Sequence, residues 1–160
     1  MIKPHQFLNI AYEIANSSKC TRLKVGAVIV KDNRIIATGY NGLPSGWDDK
    51  SCKQFCGGCK YTIHAEANAI SFAAKSGVPT DGSSIYVTAA PCVNCGLLII
   101  QAGIKKVYCR ELYKSHSSDG LLGIQMLLDS GIEVYRQDPV SLVWRKYEEY
   151  VGVSKEVELQ

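Results

Sequence analysis

His64 and Glu66 lie two positions apart in "HAE", and Cys92 and Cys95 lie three apart in "PCVNC". These are the residue types of a catalytic metal centre. Cysteines at i and i+3 face one side of a first helical turn, where the positive end of the helix dipole favours the thiolate. His64 adds a neutral nitrogen. One nitrogen and two sulfurs leave a tetrahedral zinc with one open position, as in a catalytic site and unlike a closed structural one. Water in that position has its pKa lowered toward neutrality and becomes a nucleophile. Glu66 need not bind the metal. It can take a proton from the water and pass it to a ring nitrogen and to leaving ammonia. The set suits hydrolytic removal of an amino group from a heteroaromatic ring.

The elements that must position these residues follow from periodicity and punctuation. The pattern predicts a helix over 4–18, then β-rich runs at 25–30 and 34–40 joined as a hairpin by "KDN". A Gly/Pro/Ser-rich loop leads to a helix over 64–77, with Ala65, Ala69, Phe72 and Ala73 on one face and Gly77 as its stop. A strand over 84–90 feeds a helix over 91–103 that opens on Pro91. A strand at 105–109, a helix at 119–131, a short strand at 132–136 and a last helix at 140–151 complete the chain. This order predicts one α/β domain over 1–160, a three-layer α/β/α sandwich around a five-stranded mixed sheet.

Bulk properties narrow the function. The net charge is +3 and Lys and Arg form no run, so the chain lacks the basic face of a nucleic-acid-coating protein. A small anionic ligand remains compatible with that charge. The N-terminal stretch reads as an amphipathic helix and not as a signal peptide, and "GLLII" is far too short to span a bilayer. The expectation is an intracellular, cytoplasmic protein without membrane attachment. Seven cysteines in such a chain point to metal or catalysis before disulfides.

Three of those cysteines crowd into "CKQFCGGCK", residues 52–60. Cys109 ends an apolar strand and reads as a buried thiol. Cys20, Cys52, Cys56 and Cys59 remain, and four thiolates suffice for a closed tetrahedral zinc. Residues 41–62 promise little regular structure, and a metal would tether them. The alternative is a Cys-Gly-Gly-Cys redox pair, which here lacks the usual strand running straight into a helix at the motif.

The H-x-E…P-C-x-x-C arrangement is the signature of zinc nucleobase deaminases. The chain resembles the deoxycytidylate (dCMP) deaminases of the cytidine deaminase-like superfamily, in their phage and late-competence-type branch. The resemblance rests on "SKCTRLKVGAVIVKDNRIIATGYNGLPSG", "TIHAEANAI", "GVPTDGSSIYVTAAPCVNC" and "IIQAGIKKVYC". It implies hydrolysis of dCMP to dUMP and ammonia, the precursor supply for dTTP, in the cytoplasm or in a host's cytoplasm if phage-encoded. His64, Cys92 and Cys95 would hold the catalytic zinc, with Glu66 as proton shuttle. Asn41 matches the family residue that contacts the sugar hydroxyl and the base; its rival reading is a plain Asn-Gly turn. The main-chain N–H of Ala65 would meet the base carbonyl, and Tyr113 would pack against the nucleotide. Arg22, Lys24, Arg110 and Lys114 are the candidate cations for the 5′-phosphate.

The resemblance also implies a second, structural zinc drawing on Cys20, Cys52, Cys56 and Cys59. It further implies a homohexamer with a regulatory site for dCTP as activator and dTTP as inhibitor. Gly42, Pro44 and Gly46 would line that site, with Mg2+ accompanying the nucleotide. Ala67, Ala89 and Ala90 stand where relatives vary and imply only small changes in the pocket. Rival functions are deamination of another cytosine nucleotide or nucleoside, deamination of tRNA adenosine, and a non-catalytic zinc-stapled binding protein.

Overall fold

Tyr86, Tyr108 and Tyr135 occupy matching positions on three adjacent strands, and their rings stack face to face across the middle of one sheet. The computed structural model describes residues 1–48, 54–55, 58–111, 117–148 and 154–157. Its seven-stranded sheet is built from β1 (Gly26–Lys31), β2 (Arg34–Tyr40), β5 (Ser84–Ala89), β6 (Lys106–Glu111), β7 (Glu133–Gln137), β8 (Trp144–Tyr147) and β9 (Ser154–Val157). The spatial order is β2-β1-β5-β6-β7-β8-β9, with β5, β6 and β7 parallel and the outer pairs antiparallel. A two-stranded ribbon, β3 (Gln54–Phe55) and β4 (Gly58–Cys59), stands apart from it.

The alternation of side chains divides the core in two. On one face, α1 (Pro4–Ala15) lays Phe7, Leu8 and Ala11 against Val28, Tyr86 and Tyr108. On the other, Ile29, Ile85, Val87, Val107 and Val134 pack against α2 (Ala65–Lys75), α3 (Val93–Gln101) and α4 (Ser117–Asp129). Pro4 opens α1 at a position that needs no N–H, and the Gln6 side chain accepts the Lys3 N–H at 2.9 Å. The β1–β2 hairpin turns on Asp32 and Asn33, both at positive φ, which suits the right-handed twist of the flanking strands.

The C-terminal region departs from the helix expected over 140–151. Trp144–Tyr147 is a strand, and a further strand follows at 154–157, so the sheet has seven strands and not five. The spacing of Trp144 and Tyr147 explains the difference. At i and i+3 they mimic a helical stripe, yet an odd separation on a strand sends them to opposite faces. Trp144 packs edge-on against Tyr108 in the α1 layer, 5.5 Å between ring centres, whereas Tyr147 is buried in the layer of α2, α3 and α4. Phe72 also departs from expectation: it is exposed, and the packed face of α2 is Ala65, Ala69 and Ala73.

Those small residues let α2 press onto β2. A Cβ at Gly39 would lie 2.4 Å from the Ala65 carbonyl oxygen and 2.5 Å from the Ala69 nitrogen, closer than real atoms approach. Gly39→Ala is therefore expected to destabilise the fold by about 2 kcal/mol or more, as overpacking does. An unchanged midpoint in urea unfolding would contradict the close approach.

Glu133 gives a pH-dependent counterpart. Its carboxylate accepts from the Tyr135 hydroxyl and pairs with Lys146 at 2.9 Å and Lys106 at 3.2 Å, which pulls its pKa down to about 2. A carboxylate with a depressed pKa adds stability above its ordinary pKa, and this contribution fades as pH falls toward the lowered value. Wild type should melt higher than Glu133→Gln at pH 7, and the gap should close between about pH 4.5 and 2. A gap independent of pH would show that the charge is not what matters.

Candidate active site

Two of the three candidate metal ligands are helix N-caps. His64 precedes α2 and Cys92 precedes α3, both with extended backbone, and Cys95 lies in the first turn of α3. Each cap carbonyl accepts the first helical bond, from Asn68 N–H at 2.9 Å and Gly96 N–H at 2.8 Å. His64 is delivered by a two-way backbone bridge just past the end of β2. Gly42 N–H donates to the Ile63 carbonyl at 3.1 Å, and Ile63 N–H donates to the Gly42 carbonyl at 2.8 Å. Cys92 follows the C-terminal end of β5. The hairpin makes β1 run antiparallel to both β2 and β5, so both deliveries occur at one end of the sheet.

The three donor atoms meet there. His64 Nδ1 is 3.5 Å from the sulfur of Cys92 and 3.5 Å from that of Cys95, and all three atoms lie within 4.8 Å of one another. A tetrahedral zinc with bonds of roughly 2.05 Å to nitrogen and 2.3 Å to sulfur needs an N···S spacing of about 3.6 Å. The donor set therefore fits zinc in chemistry and in spacing. Cys92 is pulled down to a pKa of about 4, chiefly by the hydrogen bond from the Cys95 thiol, and Cys95 is raised by the same contact. A metal ion there would take both sulfurs as thiolates and release their protons.

Glu66, one residue into α2, is buried at 4% exposure. Burial pushes its carboxyl up to about 7, opposed by a backbone hydrogen bond and by the nearby His64. A carboxyl near neutrality both accepts and returns a proton readily. Cys109 sits buried on the same side of the sheet, its thiol raised to about 12 by burial.

Residues 1–111 match the cytidine and deoxycytidylate deaminase zinc-binding region. The chain belongs to that family. It is 51% identical to ComE operon protein 2 of Bacillus subtilis (strain 168), over 69% of this chain and 60% of that protein. It is 34% identical to the deoxycytidylate deaminase of Enterobacteria phage T4, over 94% of this chain and all of the phage protein. Among solved structures, the dCMP deaminase from the cyanophage S-TIM5 in complex with dCMP and dUMP aligns with a TM-score of 0.75 at 38% identity. That alignment covers 85% of this chain and 99% of the cyanophage chain.

Asn41 is buried beside the start of β1. Its Oδ1 accepts from Val25 N–H at 2.8 Å, and its Nδ2 donates to the Leu23 carbonyl at 2.9 Å. Ala65 opens α2, where main-chain N–H groups lack helical acceptors. Arg22 and Lys24 are exposed on the segment that Asn41 holds. Arg110 lies elsewhere, in the α1 layer, with its guanidinium 5.2 Å from the centre of the Tyr12 ring and a bond to the Pro139 carbonyl at 3.3 Å. Tyr113, Lys114, Cys52 and Cys56 lie outside the described residues, and only the backbone of Cys59 is described.

Cys20 is half-buried and lines a cavity of about 830 Å³ together with Arg22, Gly42, Pro44 and Gly46. None of His64, Glu66, Cys92 and Cys95 lines that cavity, whereas Ile63, the neighbour of His64, does.

Gly123 on α4 is a site residue that sequence reasoning passed over. A Cβ there would lie 2.4 Å from the Pro91 carbonyl oxygen and 2.9 Å from the Cys92 carbonyl carbon. α4 thereby backs the turn that presents Cys92. Gly123→Ala should lower zinc content after dialysis against a weak chelator. Gly120→Ala, whose added carbon meets only the Ala90 side chain at 4.0 Å among the described residues, should leave it unchanged. Equal zinc in both variants would show that α4 does not set the position of Cys92.

Proposed function

We propose that this chain is a zinc-dependent enzyme that hydrolyses dCMP to dUMP and ammonia. The observation that carries the reading is the His64–Cys92–Cys95 triangle with a buried carboxyl, Glu66, beside it. Zinc held there supplies a Lewis acid that makes water a nucleophile near neutral pH. As the water oxygen bonds to C4 of the cytosine ring, Glu66 takes one of its protons and delivers it to N3. The remaining hydroxyl proton passes through Glu66 to the amino group, the C4–N bond breaks, ammonia leaves and C4 becomes the uracil carbonyl. Ala65 N–H meets the base carbonyl, and Asn41 meets the sugar hydroxyl and the base. Tyr113 covers the nucleotide. Lys24 and Lys114 neutralise the 5′-phosphate; Arg22 lines the separate loop cavity, and Arg110 is engaged by Tyr12 and the Pro139 carbonyl in the α1 layer.

The same reading includes a structural zinc on Cys20, Cys52, Cys56 and Cys59, supported by Cys20 lying at the wall of the loop cavity. It also assigns that cavity to a regulatory nucleotide, dCTP as activator and dTTP as inhibitor, with Mg2+ on the phosphates. Cations from Lys19, Arg22 and Lys75 and rings from Tyr40, Trp47 and Phe72 line it, a fit to a charged ligand with an aromatic base. Residues 1–160 act as one domain, assembled as a homohexamer in the cytoplasm, or in a host's cytoplasm if phage-encoded. No helix among the described residues is long and apolar enough to cross a membrane.

Ammonia release is expected from dCMP in preference to dCTP, deoxycytidine and cytidine, raised by dCTP and cut by dTTP. Glu66→Gln should keep its zinc and lose turnover by a factor on the order of 10³. A zinc-loaded wild type inactive on every cytosine nucleotide overturns the substrate assignment. A Glu66→Gln variant as active as wild type overturns the role of Glu66.

A further inference from the structure

Ser18 lies just past the end of α1 and is 1% exposed. Its hydroxyl bridges two main-chain groups: Oγ donates to the Asn41 carbonyl at 2.7 Å and accepts the Cys20 N–H at 3.2 Å. Asn41 is held at every other polar group too. Its N–H donates to the Val25 carbonyl at 3.1 Å, its Oδ1 accepts Val25 N–H at 2.8 Å and its Nδ2 donates to the Leu23 carbonyl at 2.9 Å. A carboxamide has two N–H groups and two lone pairs on its oxygen. One of each is engaged among the described residues, which leaves one donor and one acceptor on the carboxamide. That pair matches a ligand hydroxyl, which both gives and takes a hydrogen bond.

We propose that Ser18 is a positioning residue for the substrate's sugar, acting through Asn41. The inference rests on the reading of Asn41 as the sugar contact. The carboxamide reaches back to residues 23 and 25, while the Ser18 hydroxyl holds the carbonyl of the same residue. Without that hydroxyl, the Asn41 carbonyl and the Cys20 N–H lose their partner, and the peptide after Asn41 tilts within the limits set by its bridge to Ile63. The remaining donor and acceptor of the carboxamide turn with it. A sugar contact binds the ground state and the transition state alike, so its loss raises KM and leaves kcat nearly unchanged. The peptide that Ser18 holds also carries the Gly42 N–H of the bridge to Ile63; the second bond of that bridge, from Ile63 N–H to the Gly42 carbonyl at 2.8 Å, belongs to the next peptide and keeps His64 in place.

The test is a cycle of wild type, Ser18→Ala, Asn41→Ala and the double variant, all zinc-loaded, with dCMP kinetics, zinc content and dUMP affinity by calorimetry. Ser18→Ala should raise KM, and the Kd for dUMP, roughly five- to tenfold, with kcat within about twofold. Zinc content should be unchanged. In the Asn41→Ala background the Ser18 substitution should add nothing to KM. An unchanged KM in Ser18→Ala, or the same increase in both backgrounds, overturns the proposal. Where Asn41→Ala raises KM and Ser18→Ala does not, the Asn41 reading stands and the Ser18 proposal falls. Where Asn41→Ala leaves KM unchanged, both fall. If Ser18→Ala does not fold, the same cycle with Ser18→Cys, nearly isosteric but a weak donor, reads the same quantities.

Discussion

The contact between β2 and α2, with no side chain between the backbones at Gly39, is the constraint on which the site depends. It brings the start of α2 down to the end of the sheet where β5 hands the chain to α3. His64 and Cys92 are far apart in sequence, and neither has local reason to approach the other. Their meeting at 3.5 Å follows from two helices beginning at the same sheet end, one held by glycine and alanine contacts and the other backed by Gly123. Small residues here do structural work that larger ones would undo.

Burial and charge then divide the labour inside the site. Exposed His64, half-buried Cys92 and buried Cys95 form a graded wall, with Glu66 on its inner side. Desolvation raises the carboxyl toward neutrality. The contact between the two thiols lowers the pKa of Cys92, toward the thiolate that a metal binds. The same few residues thus provide the ligands, the proton carrier and the low-polarity surroundings that strengthen both.

Much of this was legible in the sequence where the signal was local. The "HAE" and "PCVNC" spacings and the alternating strands are short-range patterns, and His64, Cys92 and Cys95 come together; Pro91 does not open the helix as expected but precedes its N-cap, Cys92, and α3 starts at Val93. The last helix was misread because Trp144 and Tyr147 have helical spacing but pack on opposite faces of a strand, which only the neighbouring β7 determines. Phe72 was misassigned because an apolar residue near an alanine stripe looks like part of it, while the close fit on β2 admits alanine only. Ser18 and Gly123 carried no readable signal. A serine in "NSSKC" and a glycine in "DGLLG" acquire meaning from what lies against them, and those contacts are remote in sequence.

The ring stack in the α1 layer has a consequence of another kind. The chain has two tryptophans, and the fold places them in unlike surroundings. Trp144 is buried edge-on against the Tyr86–Tyr108–Tyr135 column, whereas Trp47 is half exposed at the rim of the loop cavity, 5.6 Å from Tyr61. Coupled tyrosine transitions and a shielded indole give the sheet a near-ultraviolet signature and blue-shifted fluorescence. A wetted indole emits to the red and is open to quenchers. The molecule therefore carries two built-in optical reporters, one for the integrity of the sheet and one for what occupies the cavity.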